Sequence, residues 1–216
     1  MLTGMSAKAP QRTWIFRITH KACIPWLLRN GFVCQNHPEK DPDFVPIGNA
    51  DLIDARRRRA VDKPPGGTLA DYVPFYFCTH SLMLFQVHTG RVLGVSAKQD
   101  EVVYVVSSIE RLQEIGTRFV FSDQHAYVRG AQFFTNPADL ARLDWPLIKS
   151  RDFKNDPNDP GKKERRAAEC LIHWQLPPNG LLGLACRTDE CCAYLDKAIA
   201  DAGVTLKAVT KREWYF

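Results

Sequence analysis

The chain has 216 residues, 45% hydrophobic and 25% charged, the composition of a water-soluble protein with room for one sizeable core. No apolar run approaches the roughly 18 residues of a membrane span, and "MLTGMSAKAPQRTW" lacks the apolar stretch of a secretory signal, so the cytoplasm is the expected compartment. Lys and Arg total 29 against 24 acidic residues, and the excess gathers in "ARRRR" (55–59) and between Lys149 and Arg166, islands that suit either a phosphate-bearing partner or a solvated face.

In chain order, "WIFRITH" (14–20) alternates as a strand, with Trp14, Phe16 and Ile18 on one face. It runs into "KACIPWLLRNG", where Pro25 suits a first helical turn and Gly31 a stop. Residues 35–68 are polar and rich in Pro and Gly, a loop of the length that usually has a function or no fixed structure. "DYVPFYFCTHSLMLF" (71–85) reads as a buried strand followed by a short helical turn. "EVVYVVSSI" (101–109) is a nearly continuous apolar run, hence a central strand. "RFVFSD" (118–123) predicts another strand, and 124–160 a second long mixed segment. "AECLIHWQL" reads as a strand. "TDECCAYLDKAIADAG" (188–203) has the apolar spacing of an amphipathic helix, with Thr188 as cap and Gly203 as stop. "VTLKAVTKREWYF" closes with a strand. Strands outnumber helices without regular βα alternation, which predicts a single α+β domain.

The seven cysteines show no paired metal-ligand spacing, so reduced, mostly buried thiols are expected and no metal site. The position that asks for an explanation is Glu169 in "KKERRAAECLIHW" (162–174), one carboxylate entering an apolar strand. Acidic side chains are almost never fully buried unless paired. Glu169 therefore either pairs with Arg165, four residues earlier on a helix face, or has a chemical role. No GxxxxGK[ST] loop is present, and no GxGxxG lies between a strand and a helix, so a bound nucleotide would be held in neither of those ways.

The order of strand-end "ITH", an aromatic strand running to Ser81 and a late strand-borne Glu resembles ADP-ribosyltransferases. "RITHKACIPWLLRNG", "IGNADLIDARRRR", "PPGGTLADYVPFYF", "SDQHAY", "DWPLIKSRDFKNDPNDPGKKERRAAE" and the terminal "WYF" resemble the DarT family, the DNA ADP-ribosyltransferase toxins of DarT–DarG toxin–antitoxin systems, from about residue 12 to residue 216. The resemblance implies an ADP-ribosyltransferase-like fold with a central split β-sheet flanked by short helices. It implies transfer of ADP-ribose from NAD to a base in single-stranded DNA, thymidine in the better-known branch, blocking replication. It also implies an antitoxin macrodomain of the DarG type as partner.

Carried over by position, Glu169 matches the catalytic glutamate and Arg56 the catalytic arginine. Arg17, Thr19 and His20 match the NAD-holding strand, and residues 35–56, with Ile47 and Gly48, match the NAD-binding loop. Residues 119–160 match the substrate-recognising region. Phe75 and Phe77 are expected to flank nicotinamide while Tyr76 faces the core; Ser81 bonds the nicotinamide amide or caps a helix. His80, His125, Tyr127, Lys163 and Arg166 are the candidate DNA contacts, and the run Arg57 to Arg59 is expected to meet phosphate. Two departures stand out: Cys23 replaces a common Asn and puts one NAD contact in question, and Leu82 replaces a proline after Ser81. Rival readings are transfer to another base, RNA or protein, a plain NAD glycohydrolase, and a nucleic-acid-binding domain without chemistry. A metal nuclease is disfavoured because no carboxylate cluster is evident.

Overall fold

The computed structural model describes residues 12–90, 97–154 and 156–216. The segment 1–11, expected to be disordered, lies outside the described residues. The strands are β1 (Trp14–His20), β2 (Phe32–Val33), β3 (Tyr72–Tyr76), β4 (Val102–Ser108), β5 (Phe119–Ser122), β6 (Phe133–Phe134), β7 (Glu169–His173), β8 (Gln175–Leu176), β9 (Gly183–Cys186) and β10 (Ala208–Thr210). The α-helices are α1 (Ile24–Asn30), α2 (Ala50–Arg56), α3 (Leu82–Thr89), α4 (Ile109–Glu114), α5 (Trp145–Lys149), α6 (Lys162–Arg166) and α7 (Asp189–Ala202). Eight strands form one sheet in the order β10-β9-β4-β1-β3-β7-β5-β6, and β2 pairs with β8 separately. Among the described residues only the β9–β10 pair is parallel.

The sheet is divided at its centre. β1 pairs with β4 along seven residues, but with β3 at the single position Phe16–Tyr76. Pro74 sits mid-strand in β3 and has no N–H to give a ladder. Its carbonyl accepts from the Arg17 side chain at 2.8 Å instead of from a neighbouring strand. The opening between β1 and β3 is thus written into the chain by one proline and one arginine.

Alternation sorts the side chains by face. Val103 and Val105 of β4, Val73 and Phe75 of β3, and Cys170 and Ile172 of β7 join the largest cluster, which α1 and α7 cover. Val102 and Tyr104 point into a second cluster with Leu84 and Val87 of α3. β4 is the central strand that its apolar run predicts, but it ends at Ser108, whose hydroxyl accepts from Arg111 N–H and starts α4. Helix α1 keeps Pro25 in its first turn and ends on Gly31 at φ 77°, a backbone angle that suits glycine. Helix α7 matches its apolar spacing, capped by Thr188 and closed by Gly203. All seven cysteines are free, five of them buried.

Several short elements escaped the pattern. Helix α2 lies inside the stretch read as loop; Asn49, whose side chain accepts from Leu52 N–H at 3.0 Å, was the available sign. β5 lies where "RFVFSD" predicts a strand, and the mixed segment 124–160 carries β6 and α5, with Phe133 and Phe134 pairing with Ser122 and Phe121. The closing segment is pinned by hydroxyls more than by β10. Tyr215 donates to Val102 and Ala185 carbonyls at 2.9 and 3.2 Å, and Tyr104 reaches Thr79 and Trp214 carbonyls.

Tyr215 is 5% exposed, so Tyr215→Phe is expected to cost about 1 kcal/mol, the scale of one hydrogen bond. Tyr215→Ala, which also leaves a cavity, is expected to cost about 3–5 kcal/mol. Urea denaturation midpoints of the two variants measure both.

Candidate active site

Strand β7 enters the core with Glu169, which is wholly buried. Its partner is Arg56, at the end of α2 and 113 positions earlier, not the neighbouring Arg165. Arg56 makes a two-pronged contact, Nη1 to Oε1 at 3.0 Å and Nη2 to Oε2 at 2.8 Å, with a side chain 12% exposed. Arg165 binds Asp159 and Asp144 instead. Oε1 also accepts the Ala126 N–H at 2.9 Å, and His125 Nδ1 lies 3.9 Å from it. Oε2 has the Arg56 contact alone.

Burial by itself would raise the Glu169 pKa. The charges of Arg56 and His125, with the hydrogen bonds from Arg56 and Ala126, outweigh it and hold the carboxyl below its usual range. Burial likewise disfavours charge on Arg56, and Glu169 overrides that and raises it. The pair is therefore ionised, and Arg56 is held as a guanidinium. His125 Nδ1 accepts from Tyr127 N–H at 3.3 Å, so in the neutral ring the proton sits on Nε2 as a donor.

Two cavities flank α2. One, about 370 Å³, occupies the division of the sheet; Arg17, Thr19, Phe44, Ile53 and Arg56 line it. That volume is in the range of small-molecule sites. Arg17 has no carboxylate partner among the described residues; Phe32 packs 5.0 Å from its guanidinium and its buried Nε has no hydrogen-bond partner. Burial, with a smaller contribution from Arg56, pulls Arg17 down to about 10. The other cavity, about 560 Å³ and open, is lined by Asp51, Asp54, Ala55, Arg58, Arg59, Tyr127 and Arg129. Arg56 lines the first, and its neighbour Ala55 the second.

Several expected site residues are placed otherwise. Phe75 and Phe77 lie in the main core, edge-on to Phe32 and to Phe121 and Trp145. Tyr76 is the residue in register with Glu169, and Arg17, Arg56 and Glu169 all act on its phenol. The alternation of this strand was legible, but not which face met the core. Ile47 is buried with Ile18 and Leu84, anchoring the loop from below, while Gly48 lies against Ile53 and Met83. His20 caps the turn at Lys21–Cys23 by accepting Ala22 N–H, and Thr19 alone of that pair lines the cavity. Ser81 caps α3, accepting Leu84 N–H.

The candidate DNA contacts divide. Tyr127 is 40% exposed in the open cavity, and Lys163 is partly exposed on α6. His80 and Arg166 are buried, at 8% and 3% exposure. Arg59 clamps the Ala126 and Val128 carbonyls at 3.4 Å and lies over Phe133, whereas Arg57 and Arg58 are exposed. Cys23 holds the loop, its sulfur accepting Val45 N–H at 3.4 Å and facing Val45 carbonyl at 3.9 Å. Leu82 is the first residue of α3, where proline is equally at home. Among the described residues, no group of three or more His, Cys, Asp or Glu is placed to hold a metal, and no helix is long and apolar enough to cross a membrane.

A family profile described as ssDNA thymidine ADP-ribosyltransferase, DarT, matches residues 16–216. A DNA ADP-ribosyl transferase of Escherichia coli O127:H6 is 39% identical over 208 residues, covering 96% of this chain and 95% of that one. Another, from Thermus sp. 2.9, is 35% identical over 173 residues, 80% of each chain. Among solved structures, Thermus sp. 2.9 DarT in complex with ADP-ribosylated ssDNA superposes with a TM-score of 0.90, at 27% identity, over 98% of this chain and 100% of that one. The same protein in complex with NAD+ gives 0.86 over 97% and 100%. With the profile covering nearly the whole chain and a relative aligned from end to end, this chain belongs to the DarT family of single-stranded DNA thymidine ADP-ribosyltransferases.

Proposed function

We propose that the chain cleaves NAD at the nicotinamide–ribose bond and transfers the ADP-ribose to a thymidine base in single-stranded DNA, acting as a toxin. The observation that carries this reading is the buried Glu169–Arg56 pair, with Arg56 in the wall of the cavity that divides the sheet and a second, open cavity on the other flank of α2. NAD occupies the first and the target base approaches from the second.

Loss of nicotinamide, which leaves with the electron pair of its bond, develops positive charge on the ribose, as in glycoside hydrolysis. A carboxylate bonded to a ribose hydroxyl stabilises that charge more than it stabilises the ground state, and the difference lowers the barrier. Oε2 is the oxygen that exchanges partners, because Oε1 stays with the Ala126 N–H. A ribose hydroxyl takes the place of Arg56 Nη2. Arg17, desolvated with an unmatched Nε, suits the pyrophosphate next to that ribose.

The guanidinium that loses one prong then faces the incoming base. Attack through a ring nitrogen forms the new bond to the sugar carbon as that nitrogen releases its proton. Arg56 is held protonated, so it stabilises the departing proton's electron pair rather than receiving the proton, which passes to water in the open cavity. His125 Nε2–H donates to a base carbonyl, and Tyr127, with Arg58 and Arg129, gives the single strand an aromatic face beside cations. A macrodomain antitoxin of the DarG type is the partner that the family implies, and its co-expression is expected to restore growth.

Incubation with NAD and mixed-sequence oligonucleotides is expected to add one ADP-ribose to thymidine, read by mass and sequencing; label on protein alone would overturn the assignment. Glu169→Gln is expected to lower transfer about 10²–10³-fold, the cost of one transition-state hydrogen bond, with the fold retained by circular dichroism. Arg56→Lys keeps the charge but loses the fork and is expected to lose most activity; a near-normal rate would mean that charge alone suffices.

The pair also links stability to pH. The Glu169 pKa is depressed on folding, so its stabilisation is complete above the unfolded value near 4.5 and is lost as pH falls through the lower folded value. Arg56→Ala, which strands a buried carboxylate, is expected to destabilise by about 3–5 kcal/mol at neutral pH. That gap should narrow below about pH 4, as measured by denaturation of both proteins across the range.

A further inference from the structure

A third cavity, about 230 Å³, lies beyond the end of β3, on the far side of the Phe16–Tyr76 contact from the divided sheet. Arg166, His80, Lys149 and Ser150 line it, with Phe77 and Trp214 as apolar walls. Arg166 is 3% exposed, yet it touches no carboxylate within salt-bridge distance among the described residues. Its Nη2 donates to the His80 carbonyl at 2.9 Å, and Phe153 covers its face at 3.9 Å. Nε and Nη1 are buried without a partner among the described residues, whereas the His80 ring meets the backbone of Tyr215 and Glu213. Asp152, the nearest acid in charge terms, is taken by Lys162 at 2.6 Å.

A buried guanidinium normally has its donors satisfied, because an unmatched buried donor costs on the order of 1–3 kcal/mol, more if charged. Here two donors of Arg166 lack a partner beside a cavity whose rim adds Lys149 and Ser150. Arg151 lies close enough to His80 to act on its charge. The open groups are matched by a tetrahedral oxyanion, which accepts from several donors at once.

We infer that this cavity is a phosphate subsite that grips one phosphodiester of the DNA strand next to the target nucleotide, with Arg166 as its buried anchor. The placement favours a strand phosphate over a free ion. Arg166 lies three residues before Glu169, and His80 four residues after Tyr76, which pairs with Glu169, so the anchor and the carboxylate are carried by the same two neighbouring segments. A linkage held there fixes the register of the strand against Glu169 and Arg56, as phosphate contacts do generally. The inference rests on DNA being the acceptor.

The test is a scan of thymidine-containing oligonucleotides, each with one uncharged methylphosphonate linkage, using the full chain and NAD. One linkage near the modified base is expected to raise KM roughly tenfold in the unaltered protein, with a smaller change in kcat. Arg166→Gln is expected to raise KM for the fully charged strand by a similar factor and to be indifferent to that same linkage. Its affinity should also depend less steeply on salt, by a slope of about 0.7 for one lost contact. Arg166→Lys is expected to recover part of the loss. DNA modified equally well with every neutral linkage would overturn the subsite while leaving the acceptor assignment intact; no DNA modification at all would overturn the acceptor itself. Should Arg166→Gln fail to fold, the scan on the unaltered protein and on Arg166→Lys still decides. Competition by inorganic phosphate at low millimolar concentration, without any single sensitive linkage, would mark a free-ion site and also overturn the proposal.

Discussion

A fully buried carboxylate is tolerable in this fold because one guanidinium reaches it from the other side of the sequence. Glu169 contributes the charge, Arg56 contributes two parallel hydrogen bonds, and the Ala126 N–H completes the set. Such a pair is a poor source of net stability, since desolvation of both ions offsets their attraction. It constrains geometry instead. It ties helix α2, which both cavities flank, to strand β7 and to the 125–127 turn. The same contact keeps both groups ionised, which is the state the proposed chemistry needs from each.

The division of the sheet is the second constraint. A continuous ladder from β1 to β3 would leave no space for a dinucleotide at the centre of the molecule. Pro74 removes a donor, and Arg17 occupies the carbonyl beside it. The result is a cleft floored by strands rather than by mobile loops, with a desolvated cation already in its wall. Helix α2 then covers one side, its start fixed by Asn49 and its preceding loop fastened by Cys23 and by buried Ile47. The cost of holding a polar cleft open is offset by the large clusters on the two faces of the sheet.

Both constraints bear on how far this protein was legible before its fold was known. The central strand, the amphipathic helix α7 and the strand carrying Glu169 follow from apolar spacing and caps, which are local properties. Glu169 stood out for the same reason: a charge within an apolar run is anomalous whatever surrounds it. Helix α2 was missed because seven residues between a proline-rich loop and an arginine run show little periodicity, although Asn49 marked its start. The aromatic strand was recognised, yet its faces were exchanged. Phe75, Tyr76 and Phe77 alternate either way, and only pairing with β7 shows that Tyr76 shares a face with Glu169. His80 and Arg166 looked like ligand groups because their burial arises from elements far along the chain, whereas the Ser81 cap is local and was one of its two readings.

The sequence by itself determined the local elements, the one anomalous carboxylate and, through its motifs, the family. It could not determine which arginine Glu169 would find. Arg165 is four positions away and Arg56 is 113 positions away, and spacing along the chain favours the nearer one. Tertiary structure decided otherwise, because α6 ends before β7 begins and turns Arg165 toward Asp144 and Asp159, while the closing of α2 over the divided sheet delivers Arg56. Contacts between distant segments depend on how whole layers pack, and no short window of residues contains that information.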